Sequence, residues 1–200
     1  MKATEALAGG GDAGYFDEKF AADEDPWHYE NSWYEKRKRA LLLASLPDRH
    51  YRNVFEPGCA NGALSAELAM RCSRLLCSDF SPRAVALARA RLANFPHVQV
   101  QVSAVPEAWP TEQYDAVVIS EIGYYLDAGR CAELAHLACS SLEPGGALLC
   151  CHWRRISDDF RTAGAAVHGI FTQTAKEKAL REVTLIRDDE FLLQVWRRQA

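Results

Sequence analysis

The residues best suited to chemistry lie in a glycine-rich turn that follows the first predicted strand. The segment Glu56–Gly62 (EPGCANG) comes directly after an apolar stretch and opens a predicted helix. Gly58 and Gly62 allow a ligand to approach the backbone because neither carries a Cβ, and Ala60 keeps the middle position small. In a parallel sheet this turn lies at the carboxyl end of the first strand, where α/β proteins bind ligands.

A second acidic residue lies at the end of the next predicted strand. Asp79 ends the apolar segment RLLCSD. A carboxylate in this place can accept hydrogen bonds from both hydroxyls of a ribose. A glycine turn, a helix and an acidic strand end in this order indicate nucleotide binding more strongly than the turn alone.

Two kinds of nucleotide ligand compete for this turn, beside the alternative of a plain strand–turn–helix without a ligand. A dinucleotide site uses the spacing G-x-G-x-x-G, which aims a helix N-terminus at the pyrophosphate. Here the spacing is G-x-x-x-G, and Glu56 precedes the first glycine by two positions. A carboxylate would repel a pyrophosphate, whereas it suits the ammonium and sulfonium groups of S-adenosylmethionine (SAM). The spacing and the lack of a Tyr-x-x-x-Lys pair disfavour an NAD(P)-dependent oxidoreductase.

The elements that position these residues alternate between strand and helix. After a helix predicted over WYEKRKRALLLASL, strands are predicted at NVFEPG, RLLCSDF, VQVQV, YDAVVIS and ALLCCHW, with helices between them. A less regular stretch containing His168 follows, and LREVTLIRDDEFLLQVWRR predicts two strands that turn at Asp188-Asp189. This order predicts a single-domain, Rossmann-like, doubly wound α/β sheet of seven strands, mostly parallel, with a C-terminal antiparallel β-hairpin.

The composition bounds the function further. The chain has 200 residues, of which 48% are hydrophobic and 25% charged, as expected for one globular domain. Its net charge of −4 and pI near 5.9 argue against nucleic-acid binding, so the basic run 36–39 is interpreted as a solvated helix face. No signal peptide or membrane segment is recognised. The seven cysteines form no C-x-x-C and are expected to be reduced, buried thiols of a cytoplasmic protein.

Several segments resemble a known family. The E-x-G-x-x-x-G turn, Asp79 and YDAVVISEIGYYL resemble motifs one, two and four of the class I SAM-dependent methyltransferases, and EPGGALLCCHW and the hairpin are similar to their last three strands. Within that family, DPWHYENSWYEKRKRALLLASLP resembles the nodulation-protein-S-like N-methyltransferases, which methylate the free amine of a deacetylated chitooligosaccharide. The resemblance implies SAM as cofactor, S-adenosylhomocysteine (SAH) as product and a small-molecule acceptor, most favourably the amine of an amino sugar or similar metabolite.

The resemblance also implies roles for particular positions. The glycine turn would lie along the methionine part of SAM, Asp79 would bind the ribose, and Phe80 would flank the adenine. Where the family often has an aspartate at the adenine amine, this chain has Ser103. Arg37 would bind the cofactor's carboxylate. The full set of expected cofactor-binding residues is Arg37, Glu56, Gly58, Ala60, Gly62, Asp79, Phe80, Ser103, Ala104, Ser120 and Glu121.

Candidate catalytic residues follow the fourth and fifth predicted strands. Methyl transfer is an in-line displacement, so positioning supplies much of the acceleration, and an amine must lose a proton that a Glu or His can take. Glu121, Tyr124 and His152 are expected at the carboxyl edge of the sheet, where they would act. The structural alternatives are a helix cap for Glu121 and a packing role for His152.

The domain is expected to have three parts after a flexible leader in 1–14. These are an aromatic cap and helix in 15–50, a SAM-binding core in 51–154, and an acceptor-side insertion with the closing hairpin in 155–200. The aromatic residues of the first part either clasp the core or form a lid over the cofactor, and exclusion of water favours the lid.

Alternatives to an N-methyltransferase remain open. One is a small-molecule O-methyltransferase, although no clustered Asp pair suggests a Mg²⁺ site and no metal is expected. Another is a catalytically idle SAM-binding module that regulates a partner. Neither nucleic acid nor membrane is expected as a partner, and monomer and homodimer are both compatible with the sequence.

Overall fold

A seven-stranded sheet is the centre of the fold in the computed structural model, which describes residues 13–200. Its strands are β1 (Val54–Pro57), β2 (Leu75–Asp79), β3 (Val98–Val102), β4 (Tyr114–Ser120), β5 (Leu142–Trp153), β6 (Leu180–Arg187) and β7 (Phe191–Arg198). They lie in the order β3-β2-β1-β4-β5-β7-β6. The first five run parallel, while β7 is antiparallel to both β5 and β6. The predicted seven-stranded, mostly parallel sheet with a closing hairpin is confirmed.

Helices cover both faces of this sheet. They are α1 (Ala13–Ala22), α2 (Trp33–Ser45), α3 (Ala63–Ala69), α4 (Pro82–Arg91), α5 (Ala128–Ser140) and α6 (Gly164–Glu177), with a short 3₁₀ turn at Gly123–Tyr125. Successive residues of the central strands point to opposite faces. Val54 and Val118 belong to the core under α2, α3 and α4, whereas Phe55 and Val117 belong to the core under α5 and α6. The strands are therefore buried on both sides, as their apolar runs predict.

The stretch after β5 is more regular than the sequence suggests. His168 lies in helix α6 and not in an irregular segment. Helices α2, α4 and α5 begin after Ser32, Ser81 and Asp127, whose side chains cap the first turn. Helix α6 begins after Ala163 without any side-chain cap, so its start carries no signal that sequence patterns can detect.

The two ends of the described chain complete the domain. Residues 1–12, which hold most of the expected leader, lie outside the described residues, and Ala13 and Gly14 already belong to α1. All seven cysteines are free and buried, as expected. Among the helices of residues 13–200, none has the length and apolar character needed to span a bilayer.

Candidate active site

The glycine turn between β1 and α3 has the backbone shape that its sequence suggests. Gly58, Ala60 and Gly62 have positive φ angles of 73°, 50° and 79°. A Cβ on Gly58 would overlap the Ile122 side chain, and one on Gly62 would lie 3.1 Å from the Ala88 Cα. The first glycine therefore lets the turn pass under the end of β4, and the second lets α3 pack closely against α4.

Asp79 ties this turn to the neighbouring strand. Its Oδ2 accepts the Ala60 amide at 3.0 Å, and its Oδ1 accepts the Ser81 amide at 3.0 Å. Burial raises the pKa of Asp79, while the backbone amides oppose that shift. A carboxylate has about four lone pairs, so Asp79 can accept a further donor such as a hydroxyl besides these backbone amides. The structure places Asp79 at the carboxyl edge beside the glycine turn, as the sequence predicts.

Glu56 lies deeper than its expected role implies. The residue is 3% exposed, and the Cys77 thiol donates to its Oε2 at 3.7 Å. Burial raises the pKa of Glu56 to about 8, although Ser65 and Cys77 partly oppose the shift. A carboxyl group with this pKa is mostly protonated at neutral pH. It therefore acts in this structure as a buried neutral acid below the turn.

Helix α1 packs against Phe80, the residue expected to flank the adenine. The Phe16 ring lies 5.2 Å from the Phe80 ring and 5.0 Å from the Tyr125 ring, and Trp27 packs on its other side at 5.8 Å. The Asp17 carboxylate accepts the Ser81 hydroxyl at the start of α4. The aromatic residues of the N-terminal segment thus lie over the ends of β2 and β4, in the place where a lid would exclude water.

Ser103 and Ala104 lie beside Asp79, after the end of β3. The Ser103 amide donates to the Asp79 carbonyl at 2.9 Å, and the Ser103 hydroxyl donates to the Ala108 carbonyl at 3.2 Å. The Ala104 carbonyl accepts the Ala108 amide at 2.9 Å. The loop that the resemblance assigns to the adenine therefore reaches the same edge of the sheet. Its Ser103 hydroxyl donates to the backbone of the same loop.

Glu121 stands where β4 ends, directly after Ser120, and has the left-handed φ of 60°. Its Oε2 accepts the Tyr124 hydroxyl at 2.6 Å and the Trp153 amide at 2.9 Å. Its Oε1 accepts the Lys38 ammonium at 2.6 Å. A non-glycine residue in this conformation is strained and must be held by its surroundings, as often happens at functional sites. Glu121 and Tyr124 are thus brought together beside the glycine turn.

The basic run on α2 is not a solvated face, and that interpretation is wrong for Lys38. Lys38 is 3% exposed, and its ammonium lies 2.8 Å from Glu35 and 2.6 Å from Glu121, with the Tyr34 ring centroid at 4.8 Å. Burial would lower the pKa of Lys38, but the two carboxylates outweigh burial and raise it well above its usual value. Sequence reasoning missed Lys38 because its partner Glu121 lies 83 residues away, and it missed Glu35, which pairs with Lys38.

Arg37 points to a different partner from the one expected. Its guanidinium lies 2.5 Å from Asp188 in the turn of the β6–β7 hairpin and 5.7 Å from the centre of the Phe191 ring. The same pairing holds the pKa of the Asp188 carboxyl below its usual value. This pairing directs Arg37 toward the hairpin turn, and no contact of Arg37 in the described residues supports the expected role at a cofactor carboxylate.

His152 is part of a buried chain of hydrogen bonds. The Gly123 amide donates to His152 Nε2 at 3.0 Å, so the proton of the neutral ring lies on Nδ1, which faces His168 Nε2 at 3.3 Å. His168 Nδ1 donates to Gln194 at 2.6 Å, and Gln194 donates to Glu182 at 2.7 Å. Burial lowers the pKa of His152 well below its usual value and that of His168 to about 4. Both rings are neutral and fully engaged, so we do not retain His152 as a proton acceptor.

The same two histidines and Cys150 form a cluster that the sequence spacing did not reveal. Their ligand atoms all lie within 4.8 Å of one another. A metal on His152 Nδ1 would force the proton onto Nε2, against the Gly123 amide that donates there. Burial also raises the pKa of the Cys150 thiol well above its usual value, which disfavours the thiolate that a metal needs. The hydrogen-bond chain therefore explains the cluster better than a metal does.

The comparisons with known proteins agree with this geometry. Residues 12–147 match the profile of the Nodulation protein S (NodS) family. Nodulation protein S of Sinorhizobium fredii is 35% identical over 62% of this chain, which spans 59% of the length of that relative. The solved N-methyltransferase NodS of Bradyrhizobium japonicum WM9, in complex with SAH, is 26% identical with a TM-score of 0.83, over 95% of this chain and all of that one. A Pseudomonas syringae protein described as a methyltransferase is 46% identical with a TM-score of 0.74, over 84% of this chain and all of that one.

The sheet order, the glycine turn and Asp79 at the next strand end define the class as SAM-dependent methyltransferases with a Rossmann-like fold. The family match covers more than half of the chain. The chain therefore belongs to the Nodulation protein S family.

Proposed function

We propose that this protein transfers a methyl group from SAM to the amine of a small-molecule acceptor, most favourably an amino sugar or a similar metabolite. The observation that carries the proposal is the Glu121 carboxylate, paired with Tyr124 and placed next to the glycine turn through Ile122. The solved relative named N-methyltransferase NodS supports nitrogen as the methylated atom.

The residues at the edge of β1 and β2 fit SAM. When bound, SAM supplies the electrophilic methyl group. Asp79 keeps hydrogen-bonding capacity for a ribose hydroxyl, and Gly58 and Gly62 would leave room for the ligand along the turn. Phe16 and Tyr125 would exclude water from the cleft, which strengthens the electrostatic interactions inside it.

Glu121 would act on the acceptor. A carboxylate attracts an ammonium group and can take its proton, whereas it is far too weak a base to ionise a sugar hydroxyl. Tyr124 donates to the same carboxylate and would keep it oriented toward the cleft. These properties favour an amine over a hydroxyl as acceptor, and the family resemblance adds the amino sugar.

A methyl-transfer assay tests this proposal. Wild-type protein and Glu121→Gln are incubated with SAM and either glucosamine oligomers or the matched N-acetylated oligomers, and products are located by mass spectrometry. We expect N-methylation of the free amine alone, and at least a tenfold lower rate for Glu121→Gln with unchanged SAH affinity. Methylation of a hydroxyl in both sets would favour the O-methyltransferase alternative. SAH binding without turnover on any amine would favour the non-catalytic module.

A further inference from the structure

A cluster of three charges, two of them buried, joins helix α2 to the end of β4. It consists of Glu35 and Lys38 of α2, which are 7% and 3% exposed, and of Glu121, whose side chain is 17% exposed. The two carboxylates outnumber the single ammonium, so the cluster carries an excess negative charge. Burying a charge costs free energy unless the charge is paired and hydrogen-bonded. A cluster of this kind therefore suggests a functional role rather than a contribution to stability alone.

Lys38 is the only member that contacts both carboxylates. Its ammonium lies 2.8 Å from Glu35 Oε1 and 2.6 Å from Glu121 Oε1, while Tyr34 presents its ring face at 4.8 Å. Glu35 lies one helical turn away on the same face of α2, so the pair forms a rigid unit. Burial raises the pKa of Glu35, and Lys38 opposes that shift.

The opposite end of the cluster reaches the transfer cleft. Glu121 Oε1 is held by Lys38, which leaves Oε2 to accept the Tyr124 hydroxyl and the Trp153 amide. Because Glu121 has a left-handed backbone, its carboxylate needs such contacts to keep one orientation. Without the ammonium, the partly buried carboxylate would keep its hydrogen-bond donors but lose its countercharge.

We propose that Lys38 is a positioning residue for methyl transfer, which holds the Glu121 carboxylate in one orientation, aimed together with Tyr124 at the acceptor amine. This inference rests on the proposed function. It adds a lysine of α2 to the proposed machinery, and Lys38 acts through Glu121 without touching the acceptor.

Three substitutions on one helix test the role of Lys38. Lys38→Met removes the charge, Lys38→Arg keeps it, and Lys36→Met removes an exposed charge of the same helix as a matched control. We expect Lys38→Met to lower kcat/KM for the acceptor at least tenfold while SAH affinity stays within twofold. Lys38→Arg should recover part of the loss, and Lys36→Met should equal the wild type.

A double-mutant cycle separates this role from a contribution to folding. If Lys38 acts through Glu121, then adding Lys38→Met to Glu121→Gln should lower kcat/KM by no more than a further twofold. Additive losses would overturn the proposal, as would a Lys38→Met variant that behaves like Lys36→Met. Should Lys38→Met fail to fold, Glu35→Gln/Lys38→Met keeps the net charge of the cluster and is judged by the same criteria.

Wild-type turnover on the free amine is measured first, which keeps the two proposals distinguishable. A wild-type protein that binds SAH but neither binds nor methylates the amine would defeat the proposed function and the role of Lys38 with it. Normal turnover combined with an inert Lys38→Met substitution would defeat the role of Lys38 alone.

Discussion

Two carboxyl groups flank the glycine turn, and their surroundings set them in different states. Asp79 accepts two backbone amides, which favour its charged form against the effect of burial. Glu56 accepts no backbone amide of residues 13–200, and the Ser65 hydroxyl and the weak Cys77 thiol donor only partly oppose burial, which raises its pKa to about 8. The residue types at both positions were evident from the sequence. Which of the two would be charged depended on neighbours that only the folded chain brings together.

The state of Glu56 predicts how stability depends on pH. Its pKa in the folded state, about 8, lies above the ordinary value of 4.5, so its stabilising contribution is full below pH 4.5 and is lost as pH rises through 8. Glu56→Gln resembles the protonated form. In urea denaturation it should match the cofactor-free wild type near pH 5 and exceed it by roughly 2–5 kcal/mol near pH 9.

The control for this prediction is Glu112→Gln, which changes an exposed carboxylate. Its stability relative to the wild type should be the same at both pH values, because surface charges contribute little. A difference between Glu56→Gln and the wild type that does not change with pH would show that Glu56 is ionised in the folded protein.

At the scale of elements, the glycine turn depends on the end of β4. Gly58 packs directly against Ile122, which follows β4. Two residues after Ile122, the Tyr124 hydroxyl donates to Glu121. The sequence predicted the turn and the strand separately. Their contact could not be read from it, because the two segments lie far apart in the chain and meet only through the sheet order.

Gly58→Ala tests this contact. The substitution places a Cβ in the Ile122 side chain at a φ of +73°, so it should displace the turn and weaken SAH binding at least tenfold. Gly145→Ala is the matched control, since its φ is +79° and nothing lies within 4 Å of the added Cβ. It should cost only about 1 kcal/mol of stability from backbone strain and leave binding unchanged.

A second substitution that removes the clash with the Ile122 side chain tests whether the lost affinity can be recovered. Gly58→Ala combined with Ile122→Ala should recover part of the lost SAH affinity, as measured by calorimetry on folded protein. If Gly58→Ala binds SAH as tightly as Gly145→Ala does, the turn is not held under β4 in the way described.

At the scale of the whole molecule, the pattern of strands and helices predicted the architecture well. Apolar runs such as YDAVVIS predict strands buried on both faces, and Ser81 followed by Pro82 predicts the start of a helix. Helix α6 was missed because Ala163 provides no cap, and buried Lys38 was missed because a basic run on a helix does not show which charge turns inward. The cofactor edge was therefore more predictable than the acceptor side, which is assembled from long-range contacts.

The central claim is that this edge of the sheet binds the SAM skeleton. Isothermal titration of the purified protein with SAH tests it most directly, with NAD⁺ and NADP⁺ as controls and Asp79→Ala as the site variant. We predict a dissociation constant on the order of micromolar for SAH alone, and at least tenfold weaker binding, about 1.4 kcal/mol, for folded Asp79→Ala. Absence of SAH binding, or equal affinity in Asp79→Ala, would contradict the account.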